Sequence, residues 1–347
     1  LLCLPINIKT TSHKGISMKA MVLAAGFGTR LQPLTRILPK PMFPVLGRPL
    51  LSHIFDLLLS ANISEVAVNI HHLPDFMIDY FEKEKPTDLN LHFSREEKIL
   101  GTAGGIKKME DFLGDGPFIL INSDIVTDIA LNKVIDFHKK NNSKLTLVVR
   151  QDISPEQFDS IEICEDGRIV HFIGASSMEL PENTKQVMFT GIQIMEPEIF
   201  NRIPEGQFCG TTEDIFPQII RDDVPVYGYL YNGYWKDMGN RESYLQVNAD
   251  ALDEKVFLKG ITPNDTNHSF TIPPILVGRN CHIAENSKIG PHSVIGPNCT
   301  IKNGAVVENS ILWEGVTIGA GSTVKGSVIA KNRTIGDGKN IKDESVI

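Results

Sequence analysis

From Lys19 onward the chain alternates two kinds of apolar pattern. Short, nearly continuous apolar runs at Lys19–Ala24, Glu65–Ile70, Phe118–Asp124 and Lys144–Arg150 read as buried strands, with a shorter one at Leu89–Phe93. Between them, Leu50–Ala61, Asp75–Phe81, Ala103–Leu113 and Ile129–Lys140 carry apolar residues at helical spacing. Strands separated by helices imply an α/β fold with a mostly parallel sheet and ligands at its carboxyl edge. Ser160–Ile194 is richer in strand patterns, and Glu213–Arg221 and Glu242–Leu252 read as helices.

After residue 252 the pattern changes. A turn-rich linker spans 253–273, and then apolar residues recur every six positions at Val277, Ile283, Ile289, Ile295, Ile301 and Val307. Five-residue steps separate this run from Leu312, Ile318 and Val324, and that set from Ile329, Ile335 and Ile341. A period of six fits neither a helix nor a heptad. It fits a β-helix whose short strands each turn one aliphatic side chain inward, of about four coils at ~18 residues each. The expected division is an N-terminal extension at 1–17 without fixed structure, an α/β domain at 18–252, the linker at 253–273 and the β-helix at 274–347.

Composition narrows the class of partner. The chain has 347 residues, 41% hydrophobic and 22% charged, with net charge −8. That acidic balance argues against nucleic acid, which needs a basic footprint. No apolar run is long enough to span a bilayer, so no membrane partner is expected. The opening LLCLPINIKT is too short and too polar downstream for a secretory signal, and Met18 reads as the initiator. The five cysteines have no metal-site spacing and read as thiols of a reducing compartment, so the expected location is cytoplasmic.

The strongest chemical signal follows the first strand, in Leu23-Ala-Ala-Gly-Phe-Gly-Thr-Arg-Leu-Gln-Pro-Leu-Thr35. Gly26 and Gly28 let backbone N–H groups approach anionic oxygens. Arg30 adds a planar cationic fork, and Pro39-Lys40-Pro41 sets a second cation in a stiff extended turn. A dinucleotide fingerprint fails because Leu31 stands where its third glycine belongs, and no P-loop pattern is present.

This loop followed by P-K-P resembles the sugar-1-phosphate nucleotidyltransferases, and the resemblance runs from Met18 through the repeats. It implies a Rossmann-like domain, a left-handed β-helix, and transfer of a nucleoside monophosphate to a sugar 1-phosphate with release of pyrophosphate. By that match Leu23, Ala24, Ala25, Gly26, Gly28, Thr29, Arg30 and Lys40 bind the nucleotide, with Arg30 and Lys40 on its phosphates. Asp124, at the end of the Phe118 strand, and Asp237, in Trp235-Lys236-Asp237-Met238-Gly239, match the family's metal carboxylates. Two carboxylates suit Mg²⁺. Arg30, Lys40, Asp124 and Asp237 are therefore the expected catalytic set. The family's usual Thr is Asn240 here, which can still cap the next helix.

Leu100-Gly-Thr-Ala-Gly104 is similar to mannose-1-phosphate guanylyltransferases and puts Gly101 and Thr102 at the nucleotide, with Thr102 also read as a helix cap. On the acceptor side the chain lacks the E-K-P and N-A-G of most relatives. There it is similar to N-acetylmuramate-1-phosphate uridylyltransferases and to heptose-1-phosphate guanylyltransferases. Gly191 and Asp214 are the expected sugar-phosphate contacts. GTP with mannose 1-phosphate is the leading substrate pair. The alternative of another class is a non-catalytic regulatory subunit of the same architecture. His71 and His72 point opposite ways and are poor Mg²⁺ ligands. The β-helix is expected to join copies into a homo-oligomer.

Overall fold

The computed structural model describes residues 18–84, 86, 88–151, 161–176, 183–259 and 271–347. Residues 1–17 and the middle of the linker, 260–270, lie outside these. Lys19–Leu23 is the central strand, parallel to Glu65–Ile70 on one side and to Phe118–Asn122 on the other. Asn90–Arg95 extends the parallel half beyond Glu65–Ile70. Beyond Phe118–Asn122 runs the long antiparallel strand Lys185–Met195. It pairs in turn with Leu145–Arg150, which carries Val226–Leu230 in parallel. The sheet is thus mixed, and parallel throughout the half that ends in the glycine loop.

The Phe118–Asn122 strand shows why its sequence is nearly all apolar. Phe118, Ile119, Leu120 and Ile121 are fully buried, because helices cover both faces of a central parallel strand. Helix Leu50–Ser60 and helix Leu131–Lys140 form part of that cover, Leu51, Ile54, Phe55 and Leu58 packing beside Val134 and Ile135.

Two expected helices are corrected. Ala103–Leu113 is not one helix but two, Gly101–Lys107 and Glu110–Leu113. The N–H of Lys108 still reaches four residues back to Gly104, but that of Met109 reaches only three, to Ile106, and the turn tightens and ends. Glu213–Arg221 is a wide turn over Thr211–Ile215 followed by helix Phe216–Arg221, with Pro217 in the helix's first turn. Proline has no N–H to give an upstream carbonyl, so it begins a helix better than it continues one.

The repeats form three parallel sheets stacked coil upon coil, an arrangement consistent with a left-handed β-helix. Successive coils are offset by 18 residues at first, as in Ile275↔Ser293, and then by 17, as in Ile311↔Val328. The shorter coils are those containing the five-residue steps. Ile289, Ile295, Ile301, Val307, Leu312, Ile318, Val324 and Ile329 fill the interior. One face is buried on its outside as well: Val294, Ile311, Trp313, Val328 and Ala330 pack against Tyr244, Leu245 and Leu252 of helix Arg241–Leu252. His292 Nε2 and Asp253 Oδ1, 2.8 Å apart, mark the edge of this contact. No helix among the described residues is long and apolar enough to cross a membrane.

Candidate functional site

Three parallel strands end at one level and surround a cleft of about 380 Å³. All eleven residues expected at the nucleotide line it: Leu23, Ala24, Ala25, Gly26, Gly28, Thr29, Arg30, Lys40, Gly101, Thr102 and Asp124. The loop after Lys19–Leu23 forms one wall. Gly28 there has φ +60°, and a Cβ on it would stand 2.9 Å from Thr35 Cγ2 and 3.3 Å from Lys40 Cβ. Only glycine lets the loop lie this close to the lysine. At Gly26 an added Cβ would meet no protein atom within 4 Å, so its side faces open space.

Lys40 opens a short 3₁₀ turn, Lys40–Met42, rather than sitting in an extended one; only Pro39 before it is extended. The side chain is 10% exposed, and its Nζ lies 2.7 Å from Asp124 Oδ2. The main chain brings the second carboxylate alongside. Strand Ile125–Thr127 pairs antiparallel with Trp235–Asp237, putting Asp237 opposite Ile125, and Met238 N donates to Asp124 O at 2.8 Å. Asp237 and Arg30 meet at Gly239. A Cβ there would fall 2.6 Å from Asp237 Oδ2 and 2.9 Å from Arg30 Nη1. The site thus holds two cations and two carboxylates, drawn from four separate stretches of chain.

A buried polar network that the sequence reading missed forms the floor. Asn69 Oδ1 accepts from Ala24 N at 2.8 Å, and its Nδ2 donates to Glu96 Oε1 at 2.8 Å. Glu96 Oε2 accepts from Leu100 N at 3.0 Å. Asn69 and Glu96 are each 3% exposed and both line the cleft. Desolvating a carboxylate is costly unless donors surround it, and these bonds supply them while tying three strand ends together. The available signal was Asn69, a polar residue within the run from Val66 to Ile70 that is otherwise apolar. Pro41, Ile99, Asn122, Ser123 and Gly239 complete the lining.

Thr102 does not cap its helix, contrary to the sequence reading. The free N–H groups of Ala103 and Gly104 donate instead to Cys209 O, at 2.9 and 3.1 Å. Thr102 Oγ1 accepts from Thr211 N at 2.7 Å and so binds the Gly210–Asp214 segment to the cleft wall. A main-chain carbonyl from another part of the chain took the place a local side chain could fill. Gly191 backs the cleft, where a Cβ would stand 2.6 Å from Asn122 Nδ2. Asp214 is exposed, accepts from Gly210 N at 2.7 Å, and does not line the cleft. His71 Nδ1 lies 2.8 Å from Glu96 O and His72 Nε2 2.6 Å from Thr35 O, and both rings stand edge-on to the ring of Phe27. A larger open cavity of about 880 Å³ lies past Glu96 and Leu100 but contains none of the four charged site residues.

Residues 19–254 match the family model described as nucleotidyl transferase, and residues 271–347 match the GMPPB C-terminal domain. The chain belongs to the sugar-1-phosphate nucleotidyltransferase family. It is 30% identical to a UTP–glucose-1-phosphate uridylyltransferase of Synechocystis, over 86% of this chain and 83% of that one. It is 29% identical to a mannose-1-phosphate guanylyltransferase of Mycobacterium tuberculosis, over 86% and 80%. It is 30% identical to a mannose-1-phosphate guanyltransferase of Aspergillus oryzae, over 84% and 90%. The crystal structure of HddC from Yersinia pseudotuberculosis superimposes with TM-score 0.57 at 23% identity, over 67% of this chain and 99% of that one, a likeness of fold.

Asp124 and Asp237 present oxygen donors, and among the described residues no group of three or more His, Cys, Asp and Glu could hold a metal ion. That donor set fits a hard divalent cation that keeps waters and takes its remaining ligands from phosphates. It does not fit a fully protein-ligated zinc site.

Proposed function

We propose that this nucleotidyltransferase joins GTP and mannose 1-phosphate, with Mg²⁺, to give GDP-mannose and pyrophosphate. The observation that carries the transfer reading is the meeting of Arg30, Lys40 and Asp124 at one glycine-lined cleft, with Asp237 just behind its lining, beside Gly239 and Arg30. The guanylyl and mannosyl assignments draw support from the C-terminal match and from the relatives named above.

The sugar phosphate needs no base, since its oxygen is anionic at neutral pH. That oxygen attacks the α-phosphorus, a new P–O bond forms, and the bond to the β-phosphate oxygen breaks in line. Mg²⁺, when bound by Asp124 and Asp237, offsets negative charge on the phosphates. Arg30 and Lys40 hold the triphosphate and stabilise the charge that moves toward pyrophosphate. Lys40 binds Asp124 before substrate arrives, which keeps a nearly buried ammonium paired. Gly191, behind Asn122, and Asp214, on the segment latched by Thr102, are assigned to the sugar phosphate in this reading. The β-helix joins copies of the chain into a homo-oligomer, as its end coils are sheet edges that need covering.

A second reading, UTP with glucose 1-phosphate, is favoured by the Synechocystis relative. Pyrophosphate release should be measured over GTP, UTP, dTTP, ATP and CTP against mannose, glucose, heptose and N-acetylmuramate 1-phosphates. One productive pair is expected, and Asp124→Asn should abolish its metal-dependent turnover with little change in thermal unfolding. Full activity in that variant would remove Asp124 from the metal site. No release from any pair by a folded chain would sink the transfer reading in favour of a regulatory subunit.

A further inference from the structure

Three of the four charged segments of the site send a nearby apolar residue into a single cluster. Arg30 is followed by Leu31, Lys40 by Pro41, Met42 and Phe43, and Asp237 by Met238. Leu31 is 2% exposed, and Phe43 and Met238 are fully buried. All three pack in the cluster that the outer face of the β-helix seals with Val294, Ile311, Trp313 and Val328.

Trp313 stands where these elements meet. Its ring lies 5.2 Å from that of Phe43 at 67°, and Phe43 lies 5.4 Å from Tyr244. Trp313 Nε1 donates to Tyr244 Oη at 3.2 Å, and Tyr244 Oη donates to Pro44 O at 2.7 Å. Phe43 N in turn donates to Lys40 O at 3.0 Å, closing the turn that sets the lysine. Contact is therefore continuous from Trp313, in the third coil of the β-helix, to the backbone of Lys40. A close-packed interior has no slack to absorb a displacement at one end of such a chain.

We propose that Trp313 is a positioning residue for nucleotide binding: through Tyr244 and Phe43, the β-helix holds the segments of Arg30, Lys40 and Asp237 at the spacing a triphosphate requires. This rests on the nucleotide role proposed for those residues. It makes the β-helix part of the active site's framework, in addition to any part it has in assembly. A ligand contacted by several rigid groups is sensitive to shifts of about 1 Å in any one of them.

The test uses the intact chain and the affinity of GTP, and of UTP, with Mg²⁺ by titration calorimetry, alongside thermal unfolding. Trp313→Ala is expected to weaken nucleotide binding roughly ten-fold or more. Trp313→Phe keeps a ring against Phe43 and should restore most of the affinity. Ile318→Ala empties a fully buried position of the β-helix interior, away from the interface. It should lower the unfolding midpoint while leaving affinity within about two-fold. If Trp313→Ala fails to fold, Tyr244→Phe removes only the hydroxyl between Trp313 and Pro44, and a several-fold loss of affinity is expected. Wild-type affinity in whichever of these two variants folds would overturn the inference, as would an equal loss in Ile318→Ala. A wild-type chain that binds neither nucleotide would overturn the nucleotide reading itself, and this one with it.

Discussion

At the scale of single residues, the site shows how position decides the meaning of a side chain. Glycine inside a helix usually weakens it, and replacement by alanine recovers about 1 kcal/mol. Gly105 is an exception, because a Cβ there would fall 2.8 Å from Glu96 Oε1 and 2.9 Å from Asn69 Nδ2. Gly105→Ala should therefore lower both the unfolding midpoint and nucleotide affinity, despite its better helix propensity. An alanine variant more stable than the wild type, with unchanged affinity in calorimetry, would contradict this account of the cleft floor. Asn69 and Glu96 were not legible in the sequence as a pair. They lie 27 residues apart and meet only because neighbouring parallel strands end together.

At the scale of elements, local sequence was a good guide where the deciding contacts are local. Asn240 caps helix Arg241–Leu252 with a full capping box, its side chain accepting from Ser243 N at 2.8 Å while Ser243 Oγ accepts from Asn240 N at 3.1 Å. Such caps contribute about 1 kcal/mol. The six-residue period likewise marked the interior of the β-helix, because each coil repeats the same inward residue. It could not mark the outer face. Val294, Ile311 and Val328 recur every 17 residues, once per coil, but that spacing does not say that a helix some 50 residues upstream buries them, as the separation of Tyr244 from Val294 shows. The expected homo-oligomer belongs to this scale. Light scattering of the intact chain should give a mass of two or more copies, and a monomer across micromolar concentrations would remove that role from the β-helix.

At the scale of the molecule, stability should depend on pH through buried histidine. His53 is 8% exposed, with Nε2 3.0 Å from Val45 O. Burial, opposed by that hydrogen bond, lowers its pKa to about 4 from 6.5. Above pH 6.5 the ring is neutral in both folded and unfolded chains. As the pH falls from 6.5 toward 4, only the unfolded chain takes up the proton, so stability falls, by roughly 3 kcal/mol once the window is crossed. His138, also lowered mainly by burial, adds to the same slope. Thermal unfolding between pH 7.5 and 4.5 should show this decline, and His53→Gln should flatten part of it. Equal slopes in the two proteins would mean that His53 does not titrate as its burial requires.

The sequence by itself determined the fold class and the β-helix, and it named the glycine loop, the two cations and the two carboxylates that the fold brings near one another. Each of these is written in short stretches: an apolar run, a repeat of six, a glycine loop beside fixed cations. Tertiary structure alone decided what those stretches do to one another. It paired Lys40 with Asp124, which lie 84 residues apart, and set Asp237 beside Arg30. It also gave the N–H groups of the Gly101–Lys107 helix to Cys209 rather than to Thr102, and put the β-helix behind the Lys40–Met42 turn. The physical reason is the same in every case. Backbone preference and hydrophobic period act over a few residues, whereas a buried charge or an unpaired N–H takes its partner from whatever the packed fold brings within 3 Å.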